Sequence, residues 1–292
     1  CRFVALDGLS FRVPVGSVLG MVCSNGAGKT TALTGIAGLL NLRGGTVDIL
    51  CSCPFTPATH TGDVSLLPRD ALFPAHARLG ELLRFYGALQ GMPRRTRPHH
   101  VREALRWVNL AERERSKTRA LSHGMRRRLA IAQAFLGHPK LILLDEPLNG
   151  LDPREVANIR ELIRRKPPST TIVVSSHLLT EIEAVCDHVV IIERGKAVRQ
   201  GRLEEFVGRR GRIGYILGQG EPPVTAVREA LPGAAFEWDE ERRVLDAQFD
   251  ASTYGIEQVN AAVLRILLDA GVEVLEVRRG SNLEQAYLNG EA

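Results

Sequence analysis

Residues able to handle phosphate come early in the chain. Ser24-Asn25-Gly26-Ala27-Gly28-Lys29-Thr30-Thr31 follows the apolar run Val18-Leu19-Gly20-Met21-Val22 and leads into a helical pattern through Leu39-Leu40. In a strand–loop–helix of this kind, backbone N–H groups and the helix N-terminus point at phosphate oxygens. The lysine reaches the outer phosphates and the hydroxyl after it ligates Mg²⁺. Gly26 and Gly28 let the backbone approach the ligand, Lys29 is placed to hold phosphate, and Thr30 to hold the metal. Cys23 stands where the pattern G-x-x-x-x-G-K-[ST] has its first glycine.

A second group lies downstream. Leu141-Ile142-Leu143-Leu144 runs into Asp145-Glu146. A strand ending in two carboxylates would deliver Asp145 to the Mg²⁺ shell and leave Glu146 to polarise an attacking water. Alone, each motif has a plainer reading, as a Gly-rich turn before a helix or as a solvated strand end. Their order in one chain favours the chemistry.

Elements must carry these groups to one place. Apolar strand-like runs alternate with helical patterns up to about residue 204, including Thr171-Ile172-Val173-Val174 and Val189-Val190-Ile191-Ile192. That alternation predicts an α/β domain over 1–204 with a largely parallel sheet. Between about Leu72 and Leu121 the chain is Arg-rich, with helical patterns over Leu79 to Leu89 and Val101 to Leu110 and with Pro93 and Pro98 as breakers. This reads as a helical insertion. Over 205–292 the order is strand (Ile213 to Leu217), helix (Val224 to Leu231), two strands (around Phe236 and Val244 to Phe249), helix (Ile256 to Leu268) and strand (Val272 to Val277). That is a small α+β domain of ferredoxin-like pattern.

Composition sets bounds. The 292 residues are 24% charged and 44% hydrophobic, ordinary for a folded domain pair. No apolar run approaches the roughly 18–20 residues that span a bilayer. The net charge of +5 comes with only 5% aromatic residues, which are not interleaved with the basic runs, so no nucleic-acid partner is expected. Cys1, Cys23, Cys51, Cys53 and Cys186 are an odd, scattered set that points to a reducing compartment rather than a disulfide framework. Cys51-x-Cys53 is too closely spaced for the usual zinc pair. No signal peptide is evident, and a chain that opens on Cys1 leaves a missing start open.

Further motifs carry a resemblance. Leu121-Ser122-His123-Gly124-Met125-Arg126 resembles the signature loop of the ABC ATPases, usually LSGGQ, in a form similar to variants among bacterial drug- and antibiotic-exporter ATPases. Pro147 to Asp152 resembles that family's D-loop, and Ser175-Ser176-His177 its switch-histidine motif. The resemblance implies a P-loop NTPase fold of ABC type that binds ATP and Mg²⁺ and hydrolyses ATP as a head-to-tail homodimer or heterodimer. Ser122 and Gly124 of one subunit would cap the γ-phosphate held by Lys29 of the other, at the head of a helix starting after Gly124. His177 would hydrogen-bond that phosphate. Arg126-Arg127-Arg128 reads as the solvated, subunit-facing side of the signature helix.

The chain departs from the family at three points. Cys23 replaces the first loop glycine; a left-handed backbone there would cost a β-carbon about 1–2 kcal/mol. Arg69, in Val64-Ser65-Leu66-Leu67-Pro68-Arg69, occupies the Q-loop position, and an arginine cannot ligate a cation. The aromatic residue that stacks on adenine would fall at or just before Cys1.

The resemblance thus implies an exporter ATPase at the cytoplasmic face of a bacterial membrane, docked through 72–121 on a separately encoded permease. A degenerate ATP-binding subunit of weak hydrolysis that pairs with an active one is the alternative, and a soluble non-transport ABC ATPase acting on ribosome or DNA a minor one. The tail, with Leu283-Glu284-Gln285-Ala286-Tyr287-Leu288, resembles accessory domains of the exporter branch.

Overall fold

The computed structural model describes residues 4–23, 28–49, 55–58, 60–207 and 210–279. The chain divides into two compact units, 1–201 and 202–292.

The first unit contains β1 (Val18–Cys23), α1 (Lys29–Ile36), β2 (Val64–Leu67), α2 (Leu79–Leu89), α3 (Arg97–Trp107), α4 (His123–Phe135), β3 (Leu141–Asp145), α5 (Pro153–Arg164), β4 (Thr171–Ser176), α6 (Leu179–Val185), β5 (His188–Glu193) and β6 (Lys196–Arg202). One sheet runs in the order β2-β3-β4-β1-β5-β6. The pairs β2–β3, β3–β4, β4–β1 and β1–β5 are parallel. Every residue of β1, β3 and β4 is buried, which is why these strands read as unbroken apolar runs rather than alternating ones. Both faces of such a sheet are covered.

Helix boundaries differ in places from those the sequence suggests. The first helix ends at Ile36, because Gly38 adopts φ 71° and closes it, leaving Leu39 and Leu40 exposed. Pro98 does not break a helix but lies in the first turn of α3, where a missing N–H costs nothing.

The second unit contains α7 (Leu203–Val207), β7 (Arg210–Leu217), α8 (Val224–Ala230), β8 (Ala235–Asp239), β9 (Val244–Asp250), α9 (Ile256–Asp269) and β10 (Val274–Arg279). Its sheet order is β10-β7-β9-β8, with all three pairings antiparallel. From β7 onward this is the split βαβ arrangement of the ferredoxin-like pattern. Val227 of α8 and Val259, Val263 and Leu267 of α9 pack with Tyr215, Phe236, Leu245 and Phe249 of the strands. The tail 280–292, with the motif at Leu283, lies outside the described residues.

Candidate functional site

β1 ends at Cys23, where the phosphate-loop segment begins; Ser24, Asn25, Gly26 and Ala27 lie outside the described residues. Gly28 is the N-cap of α1 with φ 97°, and a β-carbon there would sit 2.6 Å from the Ala5 carbonyl oxygen. Only glycine satisfies both constraints. Lys29 opens the helix, buried, with its ammonium donating to the Cys23 carbonyl at 2.8 Å. Thr30 follows and its hydroxyl donates to Asp145 Oδ2 at 2.7 Å. Thr31 is the next, half-buried residue of α1.

Cys23 is a strand residue, paired with Ile192 of β5. It is absent from the positive-φ positions, so its β-carbon carries no left-handed penalty. The side chain joins the core formed by Leu19, Met21 and Leu33. Burial pushes its thiol pKa up to about 11, with the nearby Lys29 ammonium offsetting part of the rise. At neutral pH it is therefore an uncharged thiol and a poor nucleophile.

β3 delivers the two acids, which are 2% and 4% exposed. Ser175, alongside on β4, links them: its hydroxyl donates to Asp145 Oδ1 at 2.6 Å and accepts the Glu146 N–H at 2.9 Å. Glu146 adopts φ 44°, an uncommon backbone for a non-glycine residue and one that clusters at functional sites. Three side chains meet its carboxylate. His177 Nδ1 stands 3.5 Å from Oε1, Arg69 Nε 3.5 Å from Oε2, and Asn149 Nδ2 donates to Oε2 at 3.1 Å. A buried carboxylate so surrounded is held in one orientation, as a proton acceptor must be.

Arg127 corrects the reading of the arginine triplet. It is only 8% exposed, and its guanidinium donates to the carbonyls of Pro147 (2.8 Å), Arg69 (2.9 Å), Asp145 (3.1 Å) and Glu146 (2.7 Å). Burial lowers its pKa, and the carboxylates of Asp145, Asp70 and Glu146 oppose that fall. Arg127 therefore pins the end of β3 to the segment after β2 from the body of α4. The legible signal was spacing, because Arg127 shares the buried stripe of Ala130, Ile131 and Ala134. Ser175 and Asn149 were likewise part of recognised motifs, but their contacts to the two acids depend on the fold.

The signature residues sit at the head of α4. Leu121 is buried, and Ser122 is the N-cap, its Oγ accepting the Met125 N–H at 3.2 Å. The helix starts at His123, ahead of the start expected after Gly124, because that cap closes the turn earlier. His123 and Gly124 carry N–H groups with no intrahelical partner. A β-carbon on Gly124 would lie 2.7 Å from Glu155 Cγ, so α4 and α5 meet too closely there for a side chain. Asp152 caps α5, Oδ1 accepting from the N–H groups of Arg154 and Glu155, each at 3.0 Å. The structure thus brings Thr30, Asp145, Glu146, His177, Arg69 and Asn149 into one cluster. Among the described residues, Ser122, Gly124 and Asp152 make their side-chain or close contacts elsewhere, within the α4–α5 region.

A protein-family model described as ABC transporter matches residues 6–149. An uncharacterized ABC transporter ATP-binding protein of Methanocaldococcus jannaschii is 31% identical over 72% of this chain and 77% of its own length. The daunorubicin resistance ATP-binding protein DrrA3 of Streptomyces coeruleorubidus is 30% identical over 98% of this chain and 90% of its own. Among solved structures, an ATP-binding subunit of an ABC transporter superposes with a TM-score of 0.62 at 28% identity, over 69% of this chain and 85% of that one.

Proposed function

Because this chain belongs to the family of ABC transporter ATP-binding proteins, we propose that it hydrolyses ATP to drive export through a separately encoded membrane permease. The observation that carries the reading is the bond of the Thr30 hydroxyl, in the first turn of α1, to buried Asp145, with buried Glu146 tied to Asp145 through Ser175. The Thr30 hydroxyl and Asp145 carboxylate are hard oxygen donors 2.7 Å apart, which suits Mg²⁺, so these two residues would hold it. The ion, when bound, neutralises charge on the phosphates.

Lys29 would exchange its bond to the Cys23 carbonyl for the outer phosphates of ATP. Glu146 accepts a proton from water as that water attacks the γ-phosphorus and the bond to the bridging oxygen breaks, releasing ADP and phosphate. His177, beside Glu146, holds the γ-phosphate. Ser122 and Gly124 of one protomer complete the site of its partner in a head-to-tail dimer, which two copies or two related chains could form. The relative named for daunorubicin resistance and the form of the signature loop favour export over other transport.

The docking face is assigned to 72–121. Leu72, Phe85 and Leu89 are 88%, 58% and 62% exposed, and Phe85 and Leu89 lie one turn apart on one face of α2. No helix among the described residues is long and apolar enough to cross a membrane, so peripheral attachment at the cytoplasmic face would run through this patch. Phe85→Glu with Leu89→Glu is expected to abolish recovery of a membrane protein in pull-downs from solubilised membranes. ATPase of the isolated subunit should stay within about twofold, since exposed substitutions cost little stability. Recovery of nucleic acid and no membrane protein by the wild type would overturn the reading. The second unit is assigned a structural or regulatory role.

Weak turnover remains the second reading, and one observation favours it: Arg69 sits on the carboxylate that must receive the proton. Its side chain is 54% exposed, so the ion pair is worth at most about 1 kcal/mol. Arg69→Gln should then raise kcat by no more than roughly fivefold. A fall in kcat, measured by phosphate release, would mean that Arg69 assists rather than restrains Glu146.

A further inference from the structure

We propose that His100, Glu103 and His138 form a Zn²⁺ site that clips α3 to the turn following α4. His100 and Glu103 lie three residues apart on α3 and so share a face. His138 follows α4 with a left-handed backbone at φ 57°, and its ring lies 5.6 Å from the His100 ring. His138 Nε2 is 3.1 Å from Glu103 Oε2, and His100 Nδ1 is 3.8 Å from the same oxygen. All three ligand atoms lie within 4.8 Å of one another.

Two arguments select a metal over a simple ion pair. His100 Nδ1 is closed off from solvent and has no hydrogen-bond partner, a state that native structures seldom leave unexplained. A metal would use its lone pair. The spacing also fits: ligands at about 2.0–2.2 Å from a tetrahedral Zn²⁺ stand about 3.3–3.6 Å apart, and the observed 3.1 and 3.8 Å bracket that edge. Two imidazoles and one carboxylate form a zinc-type donor set with a fourth position for water. Mg²⁺ and Ca²⁺, which take oxygen ligands, are disfavoured by the two nitrogens. The site is separate from the Thr30–Asp145 pair and shares no residue with it.

The clip would fix the helical insertion at a second point. At the other end of α3, Trp107 already stacks on Phe135 of α4 at 5.9 Å. A bound ion would hold the two helices as one body and stiffen any movement passing through them.

Titration of the whole chain without nucleotide tests this, with Zn²⁺ followed by calorimetry and Co²⁺ by visible absorption. One saturable equivalent is expected, with ligand-field bands and no near-ultraviolet thiolate charge transfer. His100→Gln and His138→Ala should each weaken Zn²⁺ at least about tenfold, and His99→Ala, one residue outside the trio, should not. Zn²⁺ should also raise the wild-type Tm by mass action but not that of Glu103→Gln, which decides the matter if a histidine variant folds poorly. No saturable binding, binding kept by the His100→Gln/His138→Ala double variant, or thiolate bands would overturn the site.

Discussion

Glu146→Gln is expected to leave ATP binding intact and to lower hydrolysis about a thousandfold. A positioned general base contributes roughly 10²- to 10⁴-fold, and glutamine keeps the shape while losing the ability to take a proton. The surroundings support a clean loss. Asn149 donates to Oε2 and Arg69 stands 3.5 Å from it, and both can still meet an amide oxygen, so the side chain should keep its place. The backbone at φ 44° is common to both residues, so no new strain is introduced. With hydrolysis blocked and Thr30, Asp145 and Lys29 untouched, ATP should accumulate on the protein and shift it toward the dimer. Phosphate release and gel filtration with Mg²⁺-ATP measure the two effects. Wild-type turnover no higher than that of the variant would refute the enzymatic reading.

Arg127→Met should be the most destabilising single change in the first unit outside its apolar core. It removes the donors to four backbone carbonyls in a region closed to water, and water cannot replace them. Loss of a buried charged hub costs about 3–5 kcal/mol, equivalent to a Tm drop of roughly 10 °C for a domain of this size. Arg127→Lys should recover only part of this, because one ammonium cannot span the four carbonyls that a planar guanidinium reaches. Turnover should fall along with stability, since the carbonyls released include those of Asp145, Glu146 and Arg69. A thermal scan decides it: a Tm within a degree of wild type would mean that Arg127 is not the hub its contacts describe.

The fold was legible wherever burial alone shaped the sequence. Strands buried on both faces leave unbroken apolar runs, and Leu141 to Leu144, Thr171 to Val174 and Val189 to Ile192 are such runs. In the second unit the order of strand and helix patterns was enough to anticipate a split βαβ sheet. Local geometry was harder to read. Whether Cys23 needs a left-handed backbone depends on where β1 ends, and it proves to be a paired strand residue. Arg127 was masked by its neighbours, since three consecutive arginines look alike until the helix phase assigns one of them to the core face. The start of α4 turned on a single hydroxyl. Ser175 and Asn149 sit in recognisable motifs, yet their bonds to the two acids arise only when β3 and β4 align and Glu146 turns left-handed.

The N-cap of α4 has a consequence beyond helix stability. A serine hydroxyl has two lone pairs and one proton, and in Ser122 one lone pair is already committed to the Met125 N–H. That bond holds the side chain over the first turn of α4 and leaves the hydroxyl proton free to be donated elsewhere. The N–H groups of His123 and Gly124 have no intrahelical partner. The Ser122 hydroxyl and these two N–H groups thus lie together at the head of α4. An anion docking there meets a surface that is preorganised in the free protomer, and the ordering entropy that would weaken its capture has been spent during folding.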